Sequence, residues 1–259
     1  MKAENAELLK EGAAYLGVTL SDNQMAQLDL FLRELQKWNR KLNLTAITEE
    51  REIVVRHFLD SFSCLLSGKI GEGAAVVDIG SGAGFPGIPL AIARPDIFLS
   101  LLEAGQKKAG FLKYLVSAVG LGAKVLVGRA EELARTAERA SYDVAVARAV
   151  TTLPVLCEYG LPFLKKGGYL IAQKAKRVRD EIGAAEAASR LLGGGRPEVV
   201  CVETSFLEAE RYLVLVEKIT DTPERYPRRV GIPEKRPLGR ATGAERAGGD
   251  KRTFSTNKE

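Results

Sequence analysis

A chain of 259 residues, 46% of them hydrophobic, is long enough to bury a sizeable core, and 38 basic against 33 acidic side chains leave a net charge of only +5. This mild basic excess, common among ordinary enzymes, permits a polyanionic partner without requiring one. The three cysteines, Cys64, Cys157 and Cys201, are odd in number and far apart, which argues against a disulfide framework and for a reducing cytoplasm; no export signal and no membrane-length apolar run is present.

The first predicted element is a short amphipathic helix over residues 4 to 16, stopped near Gly17. Ser21 with Gln24 forms a capping box, and Met25, Leu28, Leu32, Leu35 and Leu42 recur at helical spacing, so a second helix runs to about Lys41. The stretch from Trp38 to Thr45 that closes it mixes aromatic, basic and polar residues. A third helix starts near Thr48, where Glu49 and Glu50 suit the positive end of the helix dipole, and carries the stripe Val54, Phe58, Phe62 and Leu65. At α-helical spacing His57, Asp60 and Ser61 share a neighbouring face, which predicts a hydrogen bond between His57 and Asp60. His57 is the only histidine, so chemistry by a group that titrates near neutrality stands beside that bland reading.

From residue 74 onward strand and helix patterns alternate, as in a parallel sheet with helices on both faces. Predicted strands cover 74–79, 97–103, 124–129, 142–148 and 168–174, with helices over 86–93, 106–119, 131–139 and 152–164. A weaker helix over 178–192 stops at Gly193-Gly-Gly195, and the extended runs Glu198–Glu203 and Arg211–Lys218 follow too close together to hold a crossover helix, so they pair antiparallel. Three regions are expected: a helical segment over 1–66 that caps the sheet, an α/β domain over 67–238, and a basic, disordered tail over 239–259.

The most informative stretch is Asp78-Ile-Gly-Ser-Gly-Ala-Gly-Phe-Pro-Gly-Ile-Pro-Leu90, in which four glycines fall within eight residues directly after a buried strand. Two frames fit it. Gly82-x-Gly84-x-x-Gly87 satisfies the dinucleotide fingerprint of an NAD(P)-dependent oxidoreductase, and Asp78-x-Gly80-x-Gly82-x-Gly84 matches the loop of S-adenosylmethionine-dependent methyltransferases. Asp78 would repel a pyrophosphate and suits a sulfonium, while Pro86 and Pro89 remove N–H donors that a pyrophosphate needs. With the antiparallel finish, this favours an α/β, Rossmann-like class I methyltransferase fold with a mostly parallel seven-stranded sheet.

Ligands of such sheets sit at the carboxyl ends of the strands. There Glu103 closes the second strand and can accept from both hydroxyls of a ribose, Ala104 leaves room for an adenine, and the Ala130 N–H with the Glu131 side chain can read the adenine edge. Glu131 reads equally as an acidic first-turn helix residue. Arg148 ends the fourth strand facing the methyl group, where a buried charge is costly unless paired. Other chemistries fit less well. Ser81 lies in Gly-Ser-Gly rather than a nucleophile elbow, one histidine and scattered cysteines assemble no zinc site, and Cys157 belongs to a packed helix face. Arg148-Ala-Val-Thr stands where exocyclic-amine methylation would show an Asn/Asp-Pro-Pro-aromatic signature. Basic residues ring the same edge: Lys174, Lys176, Arg177 and Arg179 after the fifth strand, and Arg225, Arg228, Arg229, Lys235 and Arg236 after the hairpin.

The segments Asn43-Leu-Thr45, Arg56-His-Phe-Leu-Asp-Ser61, Asp78 to Leu90, Gly128-Arg-Ala-Glu131, Ala147-Arg-Ala149 and Tyr226-Pro-Arg-Arg-x-Gly231 together resemble the bacterial 16S ribosomal RNA guanine-N7 methyltransferase G family, also called glucose-inhibited division protein B, over residues 5 to 238. The resemblance implies that Gly80, Phe85, Ala130, Glu131 and Arg148 carry adenosylmethionine, joined by Gly82, Gly84, Glu103 and Ala104 from the strand-end reading. It implies a guanine of the 530 loop as substrate; Arg148 and His57 are expected at the chemistry, and Arg56, His57, Lys174, Lys176, Arg177, Arg228 and Arg229 at the RNA. Glu103 stands where many relatives have Asp, which lengthens the ribose contact by one methylene. Guanine N7 offers a lone pair and loses no proton, so no general base is needed and positioning carries the rate. The expected partner is 16S ribosomal RNA or the small ribosomal subunit, met in the cytoplasm by a monomer without membrane association. Two other classes remain open from sequence, the oxidoreductase and an RNA-recognition module without turnover.

Overall fold

The computed structural model describes residues 1–204, 206 and 210–239, apart from the side chains of Lys176 and Arg177. The predicted tail, save Gly239, therefore lies outside the described residues. Helix α1 (Ala3–Tyr15) is anchored to the start of the third helical stretch: Lys2 N–H and the Asn5 amide both donate to Glu50 Oε1, at 2.6 and 2.8 Å. Helix α2 (Asp22–Leu42) opens on the expected capping box, Ser21 N–H to Gln24 Oε1 at 2.8 Å and Gln24 N–H to Ser21 Oγ at 3.3 Å. Such a cap contributes about 1 kcal/mol. The helix ends on Asn43 in the left-handed region at φ 48°, a conformation Asn tolerates because its short side chain bonds locally. Asn39 does that bonding here, gripping Thr45 through both N–H and C=O at 2.9 Å.

The third stretch is not one regular helix. It runs as α3 (Glu50–Ile53), a π-helical segment (Val54–Leu59), α4 (Asp60–Phe62) and a 3₁₀ turn (Ser63–Ser67). The wider π turn rotates every later residue relative to His57, so the expected bond between His57 and Asp60 does not form, and the two side chains meet instead through a shared partner, Arg148.

Strands β1 (Ala75–Ile79), β2 (Phe98–Glu103), β3 (Lys124–Val127), β4 (Tyr142–Arg148), β5 (Leu164–Ala175), β6 (Glu198–Val202) and β7 (Arg211–Glu217) form one sheet in the order β3-β2-β1-β4-β5-β7-β6. The first five are parallel, and β7 pairs antiparallel with both β5 and β6. β1 and β4 are almost entirely buried because helices cover both faces, which is why they read as apolar runs. One face packs against α1, α2, the third stretch, α5 (Gly87–Ala93) and α6 (Gln106–Ala118), and the other against α7 (Ala130–Leu133), α8 (Leu153–Gly160) and α9 (Ile182–Leu191). A last turn of helix, α10 (Ile232–Lys235), follows the sheet. Among the described residues no helix is long and apolar enough to cross a membrane.

Helix α7 is much shorter than the predicted 131–139. The residues after it turn toward the C-terminal segment: Arg139 donates to Thr222 O at 2.6 Å and Tyr226 O at 3.0 Å, and Arg135 donates to Glu224 and Arg225 carbonyls at 3.4 Å. These guanidinium contacts override a sequence of good helix formers.

Candidate active site

The glycine loop after β1 is organised from beneath. Asp78 is fully buried, and its Oδ2 accepts the Gly87 N–H at 2.9 Å. A Cβ on Gly87 would stand 2.7 Å from that oxygen, so only glycine closes the contact. Burial pushes the Asp78 carboxyl up to about 7, with the Gly87 N–H pulling the other way, and Oδ1 has no hydrogen-bond partner. The expectation that Asp78 faces a positively charged ligand is thereby corrected: it braces the loop, and the carboxylate at the pocket edge is Glu103.

Glu103 is 9% exposed. Its Oε2 accepts the Gly82 N–H at 3.0 Å and its Oε1 the Gly105 N–H at 2.7 Å, so one carboxylate ties the glycine loop to the turn after β2. Several of the loop's other donors are already taken: Ser81 N–H on Leu102 O of β2, Gly84 and Phe85 N–H on Ser81 O, and Ile88 N–H on Gly84 O. Prolines at 86 and 89 supply none. A pyrophosphate cradle needs several free N–H groups at this point, and most of these are already taken. They do fit a nucleoside with a positive sulfur. Gly80, Gly82 and Gly84 have φ of 70°, 56° and 97°, and a Cβ on Gly82 would meet nothing nearer than Gly80 O at 3.8 Å, which leaves open approach to the backbone. Ala104 is half-buried beside Glu103, and the N–H of Ala130, first residue of α7, has no intrahelical acceptor. Glu131 is buried and its Oε1 accepts the Gly231 N–H at 3.0 Å, so it also pins the C-terminal segment to this edge.

Across the edge lies a second cluster, held by β4, β5, β7 and the π-helical segment. Arg148 donates through Nη1 to Arg56 O and Asp60 Oδ2, both at 3.0 Å, and through Nη2 to His57 Nδ1 at 3.1 Å. Asp60 is buried and also faces Arg211 Nε at 3.3 Å. Gln173, beside Arg148 in the β4–β5 register, donates to Asp60 O and to Ser63 Oγ. Phe85 stacks between Phe31 (4.9 Å, 15°) and His57 (4.5 Å, 26°), and the Arg148 guanidinium carbon lies 5.0 Å from its ring centroid. Nδ1 of His57 lies within hydrogen-bond distance of both the Arg148 guanidinium, at 3.1 Å, and the Arg56 carbonyl, at 3.0 Å, and its Nε2 bonds Thr45 Oγ1 at 2.8 Å. Burial, and then the Arg148 charge, pull the imidazole down to about 3.

That value sets a pH test. The unfolded imidazole titrates near its ordinary 6.5 and the folded one near 3, so between these the unfolded chain binds the extra proton. The stability contributed by His57 is full above pH 6.5 and is lost as pH falls toward 3. As His57 is the only histidine, its ring protons give one unambiguous NMR signal. The expected result is no titration between pH 5 and 8; a midpoint near 6.5 would show that the ring is not held as described.

The basic residues separate into two groups. Lys174 is spent on Thr151 O (2.7 Å) and Glu181 (3.1 Å), and Arg228 forks onto the fully buried Glu158, at 2.6 Å for Nη2. Both are thus structural pairs rather than the free RNA contacts that were expected. Arg229 is exposed, Arg56 is half-exposed and paired with Glu52 at 2.6 Å, and the side chains of Lys176 and Arg177 lie outside the description. Sequence reading passed over Thr45, Gln173 and Arg211 as site residues. Gln173 carried the signal used for Arg148, a polar residue closing a buried strand; Arg211 carried none, because antiparallel pairing brings the start of β7 to this edge.

Sheet order, glycine loop, acidic end of β2 and antiparallel β7 define a class I methyltransferase. A solved SAM-dependent O-methyltransferase from Thermotoga maritima shares the fold at 15% identity and a TM-score of 0.50, over 73% of this chain and 72% of that one. The family model described as rRNA small subunit methyltransferase G (GidB) matches residues 24–213. Proteins named ribosomal RNA small subunit methyltransferase G are similar throughout. That of Alkaliphilus oremlandii (strain OhILAs) is 43% identical over 91% of this chain and 99% of its own length, and that of Pelotomaculum thermopropionicum is 43% identical over 90% and 98%. The chain belongs to the rRNA small subunit methyltransferase G family, and it is a methyltransferase rather than an oxidoreductase.

Proposed function

We propose that the protein methylates N7 of a guanine in the 530 loop of 16S ribosomal RNA, with adenosylmethionine as donor. Family membership supports the RNA and the class of reaction. The observation that carries the choice of N7 is the state of the proton acceptors at the edge. His57 is bonded through both ring nitrogens and is a very weak base, Asp60 is paired with Arg148 and Arg211, and both oxygens of Glu103 accept backbone N–H groups. An attacking atom that carries its own lone pair and releases no proton is what such a site serves.

Gly80, Gly82, Gly84, Phe85, Glu103, Ala104, Ala130 and Glu131 would hold the donor, which supplies an electrophilic methyl on a positive sulfur. Glu103 offers each oxygen's remaining lone pair to a ribose hydroxyl, and the Ala130 N–H meets the adenine. Arg148 holds His57, Asp60 and the Arg56 carbonyl in one arrangement against Phe85, forming the wall on which the guanine is placed. Rate comes from that placement and from excluding water. Exposed Arg229, Lys235 and Arg236 supply phosphate contacts. Incubation with unmodified small subunits and methyl-labelled adenosylmethionine tests the reading. Label should enter 16S RNA, and none entering any ribosomal RNA would contradict it.

A further inference from the structure

Helices α2 and α6 lie side by side, and at their outer junction Lys37, Trp38, Lys41 and Tyr114 line a small, mainly apolar slot of about 130 Å³. Trp38 rests on Phe111 from the core at 5.7 Å and meets Tyr114 at 5.2 Å with the rings tilted by 42°. Tyr114 is 39% exposed, yet its ring is not loose: its hydroxyl donates to Glu34 at 2.9 Å, and Lys37 donates to the same carboxylate at 3.2 Å. The two rings are therefore held in one tilted contact before anything binds. Leu35, Phe111 and Leu115 are buried in the core on which Trp38 packs.

The surroundings are cationic. Lys41, Arg40, Lys107, Lys108 and Lys113 are exposed and make no ion pair among the described residues, while the nearby acid Glu34 is occupied. The slot lies along the same two helices whose ends reach the candidate site. Helix α6 opens at Gln106, just after Glu103 and Ala104, and Tyr114 lies eight residues on, about 12 Å along the axis. On the other side α2 leads to Thr45, the partner of His57, past a groove of about 520 Å³ lined by Asn39, Arg40, Asn43 and Thr45.

We propose that this slot takes one unpaired base of the RNA substrate by stacking on Trp38 and Tyr114, with its flanking phosphates on Lys41 and Lys113. Partly exposed aromatic rings beside Lys37, which pairs with Glu34, and the unpaired Lys41 match single-stranded nucleic acid, whose every base offers a π face beside a negative charge. A protein partner would have to bury those lysines without acids supplied from this side. The inference rests on the RNA-methyltransferase reading, and its test separates the two.

Trp38 is the only tryptophan in the chain, so its fluorescence reports on the slot alone. Titration with a twelve-nucleotide oligoadenylate should quench it saturably, while an abasic phosphodiester strand of equal length should not. Lys41→Glu, a surface change, should weaken the oligoadenylate response about tenfold. In steady-state methyl transfer to small subunits, Tyr114→Ala should raise KM about tenfold with kcat within twofold of the parent. Equal quenching by both strands, no quenching, or an unchanged KM would overturn the slot. Failure of the parent protein to methylate any ribosomal RNA would strike the enzymatic reading instead, and the fluorescence titration would still decide the slot.

Discussion

Replacing Arg148 by alanine is expected to lower kcat/KM for methyl transfer by a factor of about 10² to 10³ and to cost the fold about 3 kcal/mol. One guanidinium serves Asp60, the Arg56 carbonyl and His57 together. Without it the buried Asp60 retains only the longer Arg211 contact at 3.3 Å, and removing one partner of a buried pair costs more than the pair contributes. His57 loses one of its partners, and the wall against Phe85 loses its order. For a chain of this size the melting temperature should fall by roughly 6 to 12 °C. Arg148→Lys should recover little, since an ammonium lacks the planar fork that reaches three acceptors at once. Activity is compared well below the melting point, with thermal unfolding measured in parallel. A variant with parental melting and parental transfer would show that the cluster is surface decoration.

Glu103→Ala should weaken adenosylmethionine binding about 100-fold or more, read by isothermal titration calorimetry. The carboxylate accepts two backbone N–H groups from separate turns, each charge-assisted bond contributing about 1.5–3 kcal/mol, and it is the acid that reaches the pocket edge. Glu103→Gln discriminates further. Its amide would turn an N–H toward either the Gly82 or the Gly105 N–H, so one of the two turns must come free, and an intermediate loss of about tenfold is expected. Unchanged affinity in both variants would remove Glu103 from the cofactor site.

The central strands β1 and β4 were legible because burial on both faces leaves apolar runs of five and seven residues, and β7 because the gap after β6 was too short for a crossover. The capping box of α2 announced itself in two residues. What sequence could not show is where local rules give way to tertiary contacts. The π turn around His57 changes which residues share a face, and no periodicity in Val54–Leu59 reveals it. Helix α7 stops early because Arg135 and Arg139 reach carbonyls almost ninety residues away. Asp78 was correctly seen as important and given the wrong task, since its depth beneath Gly87 is a matter of packing. Arg228 likewise reads as one more basic residue until Glu158, seventy positions earlier, is found buried against it.

The central claim is that this edge delivers a methyl group to a purine nitrogen that has no proton to lose. The most direct measurement treats the labelled small-subunit RNA with borohydride and then aniline, which cleaves the chain at N7-methylguanosine. The expected result is a single scission within the 530 loop, with the label released from the RNA on the expelled methylated base. Label retained in uncleaved RNA would place the methyl on another atom and contradict the reading of the site.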